Sequence, residues 1–305
     1  MKIRRVTNSD RMMPRAQTNW DWRAAANFVF GGSGGGLLFF AALATLAGAG
    51  FIAPGVIGLA LIATGLTCVW FEIGRPFRAL NVYLHPSSSW MTREATVATV
   101  LFACGFASLW FQATALILLT GLLGLAFVYS QARILSTNKG IPAWRHRRCL
   151  PLVVSTGLTE GAGLLAVLLL WQSGVPIVPF ALLLLALVVV RYLAWCAYLD
   201  GLSSDGAPAG SLAVLGAMRD RFLLFGHAAP ALLIAIGLTG FASLAWAAAF
   251  AGVAVVATGW QLKYTLVRRA AFNQGLSLQH LPVRGAGAPG PALKPGWPGT
   301  PGQKV

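Results

Sequence analysis

Hydrophobic and polar positions in this chain fall in long blocks, without the short alternation of a soluble fold. Apolar runs occupy approximately 26–50, 53–74, 93–110, 113–132, 152–172, 178–199, 222–240 and 244–267. Each run can cross a hydrocarbon core, which needs roughly 20 residues of helix. Backbone amides in lipid must be satisfied within their own segment, which makes helix the default. The ten-residue dyad pattern of an outer-membrane barrel is missing. The pattern predicts an all-α polytopic membrane protein, a bundle of eight transmembrane helices over 26–268. A basic tail at 1–25 precedes it and a Pro/Gly-rich tail at 269–305 follows, the latter too poor in apolar residues to fold alone.

Punctuation within the runs is informative. Pro76 ends the second run, because proline lacks an amide and disfavours helix in the residue before it. The first run contains Gly31–Gly36, GGSGGG. Such density would weaken a helix in water, but in lipid it permits close backbone approach between helices. A phosphate-cradling loop would need a preceding strand and a lysine, and both are missing. Trp20 and Trp22, just before the run, suit a membrane interface.

Composition agrees with the pattern. The chain is 57% hydrophobic and 10% charged, against about 25% charged in soluble domains. A net charge of +15 would suggest nucleic acid in a soluble protein. Here its distribution points elsewhere, and no nucleic-acid partner is expected. Lys and Arg number 6, 3, 5, 2 and 6 in the N-terminal tail, the loops after runs two, four and six, and the C-terminal tail, with Arg93 counted in the first of these loops and Lys263 and Arg268 with the tail. The four opposite connections carry no charge at all. The positive-inside rule then predicts that both termini and all polar loops are cytoplasmic. The first residues carry no apolar core of a signal peptide.

Residues 68–95, CVWFEIGRPFRALNVYLHPSSSWMTREA, gather the most chemistry. Glu72, Arg75, Arg78, His85, Trp90, Arg93 and Glu94 lie there at the mouth of an apolar bundle. A quinone site needs an apolar slot, donors for two carbonyl oxygens and a group that exchanges protons. Arg, Trp and His donate, and a carboxylate such as Glu94 or Glu72 transfers protons. Glu72 and Arg75, three apart, can share a helix face, as can Trp90 and Glu94, four apart. Interfacial anchors and loop salt bridges explain the same residues equally well, and residue types alone leave both open. Deeper in the bundle, Glu160 and Arg191 stand at equal depth with opposite sign, which predicts an intramembrane ion pair. A structural clasp and a proton path are the two roles open to it.

Metal chemistry finds little support in the sequence. Membrane haem needs paired axial histidines inside the bundle. His85 and His146 fall in loops, His280 in the tail, and only His227 within a run. Cys68, Cys104, Cys149 and Cys196 have no metal-ligand spacing. The sequence predicts no haem, no iron–sulfur cluster and no other metal site in this chain.

Phe71–Ala95, FEIGRPFRALNVYLHPSSSWMTREA, resembles the membrane-anchor subunit of dimethyl-sulfoxide-reductase-type molybdoenzymes. Those proteins have an HLGRP-x-RA helix exit followed by SSW-x-(S/T)RE. Further similarity lies in NFVFGGSGGG (Asn27–Gly36), IPAW (Ile141–Trp144) and KYTLVRRAAFNQGLSLQHLPVRG (Lys263–Gly285), the last closest to the quinone-linked sulfite dehydrogenase branch. The resemblance implies an eight-helix anchor in a bacterial inner membrane. It would exchange electrons between quinone and a four-cluster ferredoxin-like iron–sulfur subunit, itself wired to a molybdopterin catalytic subunit. It also implies that Glu94 binds quinol, since family members use a glutamate there. Many have histidine where this chain has Glu72, so the chemistry at that position departs from the pattern. Inward-facing loops favour cytoplasmic partners, and hence sulfite oxidation, over an anchor for an exported dimethyl sulfoxide reductase. A small-solute transporter is the rival from another class, but its site would sit near the midplane of related repeats, and the sequence shows no internal repeat.

Overall fold

The computed structural model describes residues 13–73, 76–85 and 87–275, without the side chains of 76–79. Among them are eight helices long and apolar enough to cross a membrane. These are α1 (Trp22–Thr45), α2 (Ile52–Glu72), α3 (Trp90–Phe111), α4 (Thr114–Ser136), α5 (Cys149–Trp171), α6 (Ile177–Ser204), α7 (Ala209–Leu238) and α8 (Leu244–Arg269).

Local chemistry sets the ends. Asp21 caps α1 by accepting a hydrogen bond from the Arg23 amide at 2.7 Å. Beyond Glu72 the chain turns extended at Ile73, and Pro76–Leu84 form a 3-10 turn. Ser89 caps α3, so this helix begins at Trp90, ahead of its apolar run at 93. The largest departure is α7, which starts at Ala209, well before the run at 222. Ser211, Leu215, Met218 and Phe222 face inward at three- and four-residue spacing, while exposed Arg219, Asp220 and Arg221 lower the local hydropathy.

Helix α1 packs on α2 and α4, and α3 on α4. The same order recurs as α5 on α6 and α8, with α7 on α8. The two four-helix halves meet mainly through α1 and α5, the two most enclosed helices. No repeat is legible in the sequence; the repeat lies in the packing. Glycine makes the α1 contacts possible. A Cβ on Gly35 would stand 2.7 Å from the Gly124 carbonyl oxygen, and one on Gly36 would overlap the Gly157 carbonyl.

Residues 15–17 and 271–273 meet at one end of the bundle. Gln17 N donates to Ala271 O and Asn273 N to Arg15 O, both at 2.8 Å. Trp20, expected at a membrane interface, stacks on Trp144 at 4.8 Å, whereas Trp22 is exposed. Three π-helical turns interrupt the helices: Asn27–Gly31 in α1, Leu224–Ala228 in α7 and Thr265–Arg269 in α8. Such turns perturb the regular backbone ladder, and their carbonyls accept from side chains here. Phe28 O receives Lys263 Nζ at 2.9 Å, and Leu266 O receives Trp144 Nε1 at 2.8 Å.

Candidate functional site

Where α1 and α3 begin and α2 ends, the helices frame a half-open cavity of about 500 Å³. That is ample for a small aromatic ligand. Trp20, Phe28, Trp70, Ile73 and Met91 supply apolar wall, and Asn27, Glu72 and Glu94 supply the polar groups used below.

Glu94 is one turn into α3 and 6% exposed. Asn27 Nδ2 donates to its Oε1 at 3.2 Å. Asn27 belongs to the first π-helical turn, and its carbonyl accepts from Gln131 Nε2 of α4 at 2.8 Å. Asn27 Oδ1 is a buried acceptor without a hydrogen-bond partner among the described residues. It lies against α2, where a Cβ on Gly65 would stand 3.1 Å from it, and leaving it unpaired costs about 1–3 kcal/mol.

Glu72 is half-buried on the other side of the cavity. The Asp21 amide donates to its Oε1 at 3.3 Å. Arg23 pins the same corner, pairing with Asp21 at 2.8 Å and donating to the Phe71 carbonyl. The N-terminal cap of α1 and the C-terminal end of α2 thus share one polar joint. Arg75, expected beside Glu72, and the Arg78 side chain lie outside the described residues.

The other expected ligands stand apart from the cavity. The Trp90 ring lies beneath the guanidinium groups of Arg93 and Arg133, whose carbons are 4.4 and 4.8 Å from ring centroids. Arg93 also donates to Ser87 O at 2.8 Å. These contacts brace the start of α3. His85 is exposed, and its carbonyl accepts from the Ser89 amide at 3.0 Å. The cavity brings together Glu72 and Glu94, with neither Trp90, Arg93 nor His85 in its lining.

Deeper in the bundle, one expectation is corrected. Glu160 pairs with Lys263, Nζ to Oε2 at 2.5 Å, and not with Arg191. Glu160 also accepts from Ser33 Oγ at 2.6 Å, and Ser33 accepts from Trp260 Nε1 at 2.8 Å. Gly259 makes the approach possible, because a Cβ there would overlap the Glu160 carboxylate. Lys263, one turn further along α8, then reaches the other oxygen. Arg191 is solvated instead by Val255 O at 3.0 Å, His227 Nε2 at 3.4 Å and Gly226 O of the second π-helical turn. Depth and sign placed both charges in the core, but the choice of partner depended on rotamers and a neighbouring glycine.

Lys263 was counted with the C-terminal tail; it is 2% exposed inside α8. Asn27, Gln131 and Ser33 were likewise passed over as sites. Each is a polar residue within a stretch that folds as apolar helix, and that alone is a signal, because an unpartnered polar group in hydrocarbon is costly. No model of a known protein family matches the chain, and no curated protein matches it either.

Proposed function

We propose that this chain is the membrane-embedded, quinone-reactive subunit of an oxidoreductase complex in a bacterial inner membrane. The observation that carries the reading is the shared cavity. Glu72 and Glu94, singled out from the sequence as proton-exchanging groups, line one largely apolar cavity, and Asn27 holds Glu94 there by a hydrogen bond. The cavity lies at the end of the bundle where residues 15–17 meet 271–273, the end assigned to the cytoplasm by the lysine and arginine bias.

In this reading a cytoplasmic molybdopterin subunit oxidises sulfite. Sulfite and water give sulfate, two electrons and two protons. The electrons cross a four-cluster iron–sulfur subunit docked on the basic loops, and quinone in the cavity takes them with two protons to become quinol. Glu94, hydrogen-bonded to Asn27, hands a proton to the nearer quinone oxygen, and Glu72 refills the site from the cytoplasmic side. The resemblance around Phe71–Ala95 supports this assignment and its sulfite branch.

The test is sulfite-dependent quinone reduction in membranes carrying the whole complex. Glu94→Gln is expected to assemble normally and to lose quinone reduction at least about 100-fold, within the span that general acid–base catalysis supplies. Sulfite should still reduce an artificial soluble acceptor. A variant as active as wild type overturns the site. Absence of sulfite activity in wild type overturns the branch, leaving an anchor for another substrate, such as a dimethyl sulfoxide-type reductase running from quinol.

Two observations favour a transporter as second reading: the repeated four-helix packing and the charges buried deep between the halves. The cavity counts against it, lying at the bundle's end. Copurification of redox-cofactor subunits with the tagged chain decides between them.

A further inference from the structure

The buried pair Glu160–Lys263 and the cavity carboxylate Glu94 are attached to the same short turn of α1. Lys263 Nζ donates to Phe28 O at 2.9 Å and to Val29 O at 3.3 Å. Gln131 Nε2 donates to Asn27 O at 2.8 Å. Asn27, the first residue of that π-helical turn, donates to Glu94. Three consecutive carbonyls, those of Asn27, Phe28 and Val29, therefore accept side-chain donors from α4 and α8.

Lys263 is itself aimed by Glu160, and Glu160 by Ser33, whose single hydroxyl proton goes to the carboxylate while its Oγ lies 2.9 Å from the Val29 carbonyl oxygen. Crowding leaves the turn few alternatives. A Cβ on Gly32 would collide with Lys263 Nζ, and one on Gly65 would stand 3.1 Å from both the Cα and Oδ1 of Asn27. Ordinary helical bonding does not need these external donors, whereas a π-helical turn exposes carbonyls that benefit from them.

We propose that Lys263, oriented by Glu160, is a positioning residue of the cavity: it holds the Asn27–Gly31 turn in its π-helical form and thereby aims Asn27 at Glu94. Neither residue of the pair lines the cavity. It acts on the site through backbone, from a different helix and greater depth. Gln131 braces the same turn from α4 through the Asn27 carbonyl and also reaches the Glu94 carboxyl itself. The proposal rests on the quinone reading only for the ligand used to test it; the chain of contacts stands apart from that reading.

The experiment is a double-mutant cycle on the full-length chain in detergent, read by binding of a fluorescent alkyl-hydroxyquinoline N-oxide, a quinol analogue. Lys263→Met is expected to weaken binding about 10-fold, as does loss of a hydrogen bond to a charged group. Gln131→Leu, which leaves the ion pair intact but also removes a contact to Glu94, should give a loss of at least that size. Asn27→Ala should also weaken binding, and Lys263→Met/Asn27→Ala should be no weaker than Asn27→Ala, because both changes cut one chain of contacts. Independent, multiplying losses overturn the proposal, as does wild-type affinity in Lys263→Met.

If Lys263→Met fails to fold, Glu160→Gln/Lys263→Gln removes both charges while keeping polar volume, and takes its place in the cycle. If wild type does not bind the analogue, the quinone reading falls. The positioning claim is then read from the Glu94 carboxyl infrared band, identified by its loss in Glu94→Gln. Lys263→Met and Asn27→Ala should alter that band alike, and an unaltered band in Lys263→Met overturns the claim.

Discussion

Lys263 and Arg191 are both buried cations, and the bundle treats them differently. Lys263 has a carboxylate, whereas Arg191 spreads its charge over two carbonyls and an imidazole. A third residue that sequence placed in a loop, His146, is also buried. Its Nε2 lies 3.2 Å from Asp205 Oδ2 and joins the α4–α5 loop to the end of α6. Burial outweighs that carboxylate and holds the imidazole below its ordinary pKa, with Arg148 and Arg147 adding to the effect. The unfolded chain therefore binds the proton more readily than the folded one. His146 stabilises fully above the ordinary imidazole pKa, and that contribution fades as pH falls through it. Thermal unfolding in detergent should show wild type losing more stability than His146→Gln between pH 8 and about 5.5. Equal losses would show that His146 titrates alike in both states.

At the scale of elements, close helix contact explains why glycine crowds the first span. Gly35 meets Gly124 of α4, while Gly36 meets Gly157 and Gly161 of α5. Any side chain at Gly36 must push α1 and α5 apart, because it would meet backbone and no movable side chain. Gly36→Ala is expected to cost about 1–3 kcal/mol or more and to lower the yield of folded protein. Gly48, where nothing would meet a Cβ, has positive φ and makes a poor control; Gly216 has negative φ and open space, so Gly216→Ala should be silent. Purified yield and unfolding temperature, measured in parallel, check both. The close contact was legible from the glycine run; which helices it served was not, because one apolar run looks much like another. The early start of α7 was hidden for a related reason. A hydropathy average dilutes an amphipathic turn, and only the Ala270 carbonyl, accepting from Ser211 Oγ at 2.7 Å, shows what its inner face was for.

At the scale of the molecule, the charge bias makes a claim about orientation that reporters test. A fluorescent protein fused after Val305 should fold and fluoresce, and alkaline phosphatase fused there should be inactive. Phosphatase fused after Gly174, between α5 and α6, should be active. The reverse result would place the cavity on the other side of the membrane and remove the cytoplasmic partners with it. The Lys263 correction leaves the bias standing, since the uncharged connections do not change.

Eight apolar helices and their order were determined by sequence alone, because hydrocarbon length and backbone hydrogen bonding act locally along the chain. Glu94 and Glu72 were likewise conspicuous as rare carboxylates beside apolar runs. Their meeting in one cavity, the substitution of Lys263 for Arg191 at Glu160, and the roles of Asn27 and Gln131 were decided by tertiary structure. Each depends on residues dozens of positions apart whose approach is set by glycine contacts and π-helical turns. No local pattern encodes that geometry, because it arises only when helices pack.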